Sequence, residues 1–159
     1  MKAYRFIIDL NPVPKQSFTI GTNNYTPDKV TQYEGNIRHI IKSQLPTQYI
    51  MFTGPVIMQI DYYYPLTLKQ KSYVKKQRKL GNLQVPDEEI CFLKSTRPDV
   101  TDNLNKGILD ALNNLLFTDD ALIGSFQARK YQVFTDKKFI VVYIKGLEEA
   151  CINSMPEVS

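Results

Sequence analysis

The sequence predicts an α/β fold of the α+β kind: two layers, with helices packed on a small mixed β-sheet. Three observations carry this expectation. The spacing of apolar residues switches along the chain between a period of two and a period near 3.6. The segments so defined run β-α-β-α-α-β-β, an order that mixes adjacent strands with strands separated by helices. At 159 residues and 43% hydrophobic content, the chain is long enough to bury one core.

Tyr4 to Leu10 alternates β-forming residues and reads as the first strand. Asn11-Pro-Val-Pro-Lys-Gln-Ser-Phe follows, and its two prolines exclude a helix interior and favour an extended loop. Gly21-Thr-Asn-Asn reads as a turn between Phe18–Ile20 and Tyr25. Thr26 and Pro27 are a plausible N-cap and first-turn residue for a helix that runs to about Ser43. Val30, Tyr33, Ile37, Ile40 and Ile41 give that helix one apolar stripe. His39 lies in the same helix and reads as structural rather than as a ligand.

Pro55 to Tyr64 is the next strand. Tyr62, Tyr63 and Tyr64 alternate along it, which assigns at least one of its faces to the core. Leu68 to Leu80 is a second helix, closed by Gly81 at the C′ position. Asn82 to Thr96 has mixed composition and reads as a loop or excursion leading to the acidic segment. Asp102 to Leu116 is a third helix with Leu104, Ile108, Ala111, Leu112 and Leu115 on its apolar face. Leu122 to Val133 and Lys138 to Ile144 are two strands joined as a hairpin through Thr135-Asp-Lys-Lys. Residues 1–148 are expected to form one domain and 149–159 a tail.

Twenty Lys and Arg against sixteen Asp and Glu leave a net charge of +4, and the pI near 9.0 favours an anionic partner. No apolar run of about 20 residues is present, so no membrane span is expected. The charged N-terminus does not read as a signal peptide. Cys91 and Cys151 have no motif spacing and fit reduced thiols, consistent with a cytoplasmic protein.

Against this basic background, five carboxylates fall between positions 99 and 120: Asp99, Asp102, Asp110, Asp119 and Asp120. Carboxylates gathered this closely call for a positive charge among them, and a hard divalent cation with oxygen ligands meets that need. Taken singly, each has a plainer reading. Thr101 or Asp102 is a natural helix N-cap, and a carboxylate is favoured there. Lys106 and Asp110 continue an i, i+4 ladder from Asp102 on a solvated face. Asp119-Asp120 would pass as a turn. Together they offer three or four oxygen donors and a nearby ammonium. That set can place a metal on a phosphodiester and neutralise charge on its oxygens.

The segment resembles the RusA-type endonucleases, the small phage and bacterial Holliday-junction resolvases. The resemblance rests on Pro98-Asp99-Val-Thr-Asp102-Asn103-Leu104-Asn-Lys106-Gly-Ile-Leu-Asp110-Ala111-Leu112, then six residues, then Asp119-Asp120. Pro12-Val-Pro-Lys15-Gln16 and Tyr25-Thr-Pro27 are similar to the family's N-terminal half. The resemblance implies that Asp99, Asp102 and Asp120 are catalytic metal-binding carboxylates. It also makes Lys106 the catalytic lysine and Asp119 an auxiliary ligand. It further implies Mg²⁺ as cofactor, with Mn²⁺ as a substitute, a homodimer, and branched DNA as the partner. The family spaces its first two aspartates as Asp-x-Asp, whereas Val100 and Thr101 make the spacing here Asp-x-x-Asp. In a strand, one extra residue turns a side chain to the other face.

The DNA-binding candidates follow from charge and position. Lys69, Lys75, Lys76, Arg78 and Lys79 concentrate on the second helix, either tracking phosphates or forming a solvated face. Arg97 adjoins the acidic motif. Lys15 and Gln16 lie in the proline-held loop, and Lys130 on a strand. Two other readings remain open from the sequence: a non-catalytic junction-binding protein, and another metal-dependent phosphoesterase acting on branched DNA.

Overall fold

The computed structural model describes residues 2–15, 18–20, 23–25, 28–98 and 103–147. In chain order the elements are β1 (Ala3–Ile8), β2 (Phe18–Ile20), β3 (Asn23–Tyr25), α1 (Asp28–Gln44), β4 (Val56–Pro65) and α2 (Leu68–Lys79). They continue with β5 (Cys91–Leu93), α3 (Asn103–Leu112), β6 (Ile123–Val133) and β7 (Phe139–Gly146). Five strands form one mixed sheet in the order β1-β7-β4-β6-β5, and β2 pairs with β3 in a small hairpin. The fold is α+β, with helices packed on a mixed sheet, as the period switches predict.

β4 is the centre of the sheet. It pairs parallel with β6 and antiparallel with β7. Val56, Met58, Ile60, Tyr62 and Tyr64 alternate onto the face that meets the helices, and all are buried. Against them pack Tyr33, Ile37 and Ile41 of the α1 stripe and the residues Leu104, Ile108, Ala111 and Leu112 of α3. Fully removing a leucine-sized side chain from water contributes about 2 kcal/mol, so these two stripes hold α1 and α3 on the sheet. α2 sits apart on a smaller cluster of Leu66, Val74 and Ile90. Only Val74 of α2 itself is buried. Its register comes instead from a capping box between Thr67 and Gln70 and from Gln70 Nε2 donating to Gln132 Oε1 at 3.0 Å. Gly81 follows with φ +75, a left-handed conformation that glycine adopts without strain.

Four sequence expectations need correction. β6 and β7 are not a hairpin, because β4 lies between them and the chain from 134 to 138 passes over the end of β4. A central strand buried on the helix side and paired on both edges displaces the local pairing that a short connection favours. α3 stops at Leu112 rather than Leu116. Asn114 turns with φ 56, and Leu115 N and Leu116 N both return to Leu112 O. Leu115 and Leu116 stay buried, so the apolar period continues past the helix end. The segment 82–96 is not only loop, since Cys91–Leu93 pairs antiparallel with β6 at the sheet edge. His39 is exposed on α1 and has no core role. The tail 149–159, including Cys151, lies outside the described residues, and Cys91 is a free, exposed thiol.

Candidate active site

α3 is the scaffold of the acidic motif. Burial of its apolar stripe fixes its rotation, and this turns Lys106 and Asp110 outward, both exposed. On the inner face, Tyr62 of β4 donates its hydroxyl to Asn105 Oδ1 at 2.9 Å, and Asn105 is itself buried. At the C-terminal end, Arg38 Nη1 of α1 donates to Ala111 O and Asn113 O, both at 2.8 Å. A guanidinium here satisfies carbonyls that the helix leaves unpaired and complements the negative end of its dipole.

After α3, the turn through Asn113–Thr118 is held by backbone bonds to Phe52: Phe52 N to Leu116 O at 2.9 Å and Thr118 N to Phe52 O at 3.3 Å. Asp119 and Asp120 follow at the head of β6, both exposed. Asp119 Oδ1 accepts from Ala121 N at 2.8 Å, which caps the short 3-10 turn at Asp120–Leu122 and fixes that carboxylate.

On the other side of the motif, Lys130 of β6 donates to Thr96 O at 2.8 Å and Pro98 O at 2.6 Å. Lys94 N donates to Lys130 O at 2.9 Å, continuing the β5–β6 edge. The strand and loop that lead into the motif are therefore stitched to the C-terminal half of β6. Asp119-Asp120 lie at its N-terminal end. From Ile123 to Lys130 the strand covers about 23 Å, so one chain keeps these two regions well apart.

Asp99 and Asp102, two of the expected metal ligands, lie outside the described residues, as does Gln16. Among the described residues no group of three His, Cys, Asp or Glu side chains gathers to hold a metal. The available donors, Asp119 and Asp120, are exposed carboxylates and suit a hard cation with oxygen ligands and water.

The basic residues divide into two groups. Lys69, Lys75, Lys76 and Lys79 are exposed along α2, and Arg97 is exposed beside Pro98. Three others already have protein partners. Lys15 Nζ bonds Glu34 Oε1 at 2.7 Å and Asp110 Oδ2 at 2.5 Å, bridging α1 and α3. Burial works against the Lys15 charge, but the bonds to Asp110 and Glu34 outweigh it and raise its pKa. Arg78 pairs with Asp87 at 2.7 Å and donates to Val85 O at 2.8 Å. Lys130 is committed to the two loop carbonyls. Lys94 and Lys138, which the linear sequence does not single out, stand near Lys130 in space. The signal was absent because β5 is only three residues long and Lys138 precedes a strand that is not β6's neighbour.

A family model described as Endodeoxyribonuclease RusA matches residues 9–145, which places this protein in the class of DNA-cutting enzymes. The chain belongs to the RusA endodeoxyribonuclease family. It is also similar to "Uncharacterized protein YqaN" of Bacillus subtilis (strain 168), with 28% identity over 135 residues, covering 82% of this chain and 89% of that protein. The family implies endodeoxyribonuclease activity on branched DNA and a general dependence on a divalent metal. No helix among the described residues is long and apolar enough to cross a membrane.

Proposed function

We propose that this protein is a Mg²⁺-dependent, homodimeric endonuclease that resolves four-way DNA junctions by paired phosphodiester cleavage. The observation that carries this reading is the rotation of α3. The apolar residues of the family motif, Leu104, Ile108, Ala111 and Leu112, are buried, while Lys106 is presented outward on the same helix. Asp99, Asp102 and Asp120 would hold the metal, with Asp119 beside them; Mn²⁺ would substitute for Mg²⁺. Bound there, the cation supplies activation of a water and neutralisation of charge on the phosphate. Lys106 places its ammonium to offset charge on a non-bridging oxygen or on the leaving group.

What favours a homodimer is the length of β6 between Asp119-Asp120 and the Pro98 loop. A two-fold partner that runs its α3 antiparallel to this one would bring its own acidic turn towards the loop at Thr96 and Pro98. A two-fold protein also matches the two symmetry-related cleavage points of a junction.

One feature favours a second reading, in which the protein binds junctions without cutting them: the Asp99-x-x-Asp102 spacing, one residue longer than the family's. The test is incubation of a labelled synthetic four-way junction with wild type and Asp102→Asn, with and without Mg²⁺. Paired nicks from wild type alone, lost on chelation and in the variant while binding persists, are the expected result. Tight binding with no Mg²⁺-dependent product from wild type would replace the nuclease reading with the second one. Cleavage of flaps or small phosphate esters in preference to junctions would point to a different metal phosphoesterase.

A further inference from the structure

Three ammonium groups converge where the sheet meets the loop that enters the acidic motif. Lys94 Nζ lies 5.2 Å from the centroid of the Tyr64 ring and Lys138 Nζ lies 5.8 Å from the same centroid. Lys130, which holds Thr96 O and Pro98 O, is close enough to repel Lys94. The Lys94 pKa is lowered by burial and then by the charges of Lys130 and Lys138. The only hydrogen-bond partners of these ammoniums among the described residues are oxygens of neutral groups: Thr96 O and Oγ1 for Lys94, and Thr96 O and Pro98 O for Lys130. Asp9 and Asp136 line the groove beside Lys138. Asp9 pairs with Lys137 at 3.5 Å, and among the described residues no carboxylate pairs with Lys94, Lys130 or Lys138. Tyr64 is 7% exposed, and its hydroxyl has no hydrogen-bond partner among the described residues.

A fold ordinarily disperses like charges or places an acid among them. Here three lysines are held together, two of them over one aromatic ring, and only neutral oxygens accept from them. Such a cluster is stabilised when an anion arrives. A singly charged group with several accessible oxygens suits three ammonium donors on different elements.

We propose that Lys94 and Lys138, both over Tyr64, together with the neighbouring Lys130 form a binding site for a backbone phosphate of the DNA substrate, next to the loop that leads into the acidic motif. The site deepens the nuclease reading and rests on it, because that reading supplies the strand. Lys130 has a double role: it contributes charge to the phosphate and holds the loop that precedes Asp99. Lys94 and Lys138 contribute through charge and reach alone. The site acts on binding and register, not on the bond that breaks, since phosphate contacts position a strand without reading its sequence.

The test is binding of a labelled four-way junction in EDTA over a series of salt concentrations. It compares wild type, Lys94→Gln, Lys138→Gln and, as a control, Lys42→Gln on the exposed last turn of α1. Junction cleavage by wild type with Mg²⁺ is measured in parallel. Each removed phosphate contact is expected to reduce the slope of log affinity against log salt by about 1, and the control to leave it unchanged. Melting temperatures accompany the binding curves. Lys94→Gln is expected to melt no lower than wild type, because it relieves repulsion. Lys138 is exposed, so its variant keeps the test valid if Lys94→Gln fails to fold. Equal slopes for all four proteins would overturn the site and leave the nuclease reading to be decided by the cleavage arm. Reduced slopes with no cleavage by wild type would support the phosphate site and refute the nuclease. No junction binding by wild type would overturn both.

Discussion

Tyr62 and Asn105 meet through a 2.9 Å hydrogen bond inside the core, joining the central strand to the motif helix. Burial of the apolar stripe fixes the rotation of α3, and this directional bond adds to it by holding Asn105 on the inner face. Tyr62→Phe keeps the ring and removes the donor. The expected cost is about 1–2 kcal/mol, seen as a lower denaturant midpoint with an unchanged slope. If the bond also sets the presentation of Lys106, cleavage should fall further than the unfolded fraction alone explains.

Arg38 makes a similar link at the other end of α3. Arg38→Met retains the aliphatic stem and leaves Ala111 O and Asn113 O without their shared donor. A loss of about 1–2 kcal/mol is expected by chemical denaturation, with faster amide exchange at the end of α3 before the rest of the core.

Gly146→Ala tests the support beneath Asp119-Asp120. A Cβ at Gly146 would stand 2.8 Å from Phe52 Cε1, so the ring must move. Phe52 packs edge-on to Tyr4 at 6.0 Å and carries the backbone bonds that hold the 113–118 turn. A destabilisation of about 1–2 kcal/mol is expected from thermal or denaturant melts. Disturbance of resonances at Asp119 and Asp120, remote in sequence from the substitution, would show that the strain travels through Phe52.

Alkali should unfold this protein earlier than its basic composition implies. Burial pushes the hydroxyls of Tyr49, Tyr63 and Tyr64 up to about 12, and it raises those of Tyr33 and Tyr62 as well. The folded state therefore favours the neutral phenol. Its stabilising effect is complete below the ordinary tyrosine value near 10 and is lost as pH rises from there through the folded values. Lys15, also raised, acts in the same direction: its bridge to Glu34 and Asp110 is intact below about 10.5 and fails above its folded pKa. Denaturant midpoints at pH 9, 10 and 11 should fall progressively, and absorbance at 295 nm should count fewer than ten ionised tyrosines until unfolding. A flat midpoint across that range would contradict the assigned burial.

The helices were legible because their apolar stripes are local and periodic. Val30, Tyr33, Ile37 and Ile41 report a face of α1 whatever lies beneath it. Strand order was not legible, since nothing between Val133 and Phe139 says that β4, which ends at Pro65, will separate the two. α3 was read too long for a related reason: Leu115 and Leu116 keep the helical period while Asn114 has already turned the chain. In the site, the motif carried Lys106 and the acidic pairs, which lie close together along the chain. Lys15 binds Asp110 across 95 residues, and Lys94, Lys130 and Lys138 come from three separate strand neighbourhoods. Groupings of that kind exist only once the sheet is assembled.

The position of β7 has a consequence for synthesis. This last strand of the sheet lies between β1 and β4, and among the described residues it is the one sheet neighbour of β1. As the chain leaves the ribosome, β1 must wait for residues 139–146 before it can pair, while β4 and β6 can meet earlier around α2 and α3. Translation of this segment therefore closes the sheet in a single late event. A chain stopped before Phe139 would leave β1 and one edge of β4 as open strands, competent to pair with other chains.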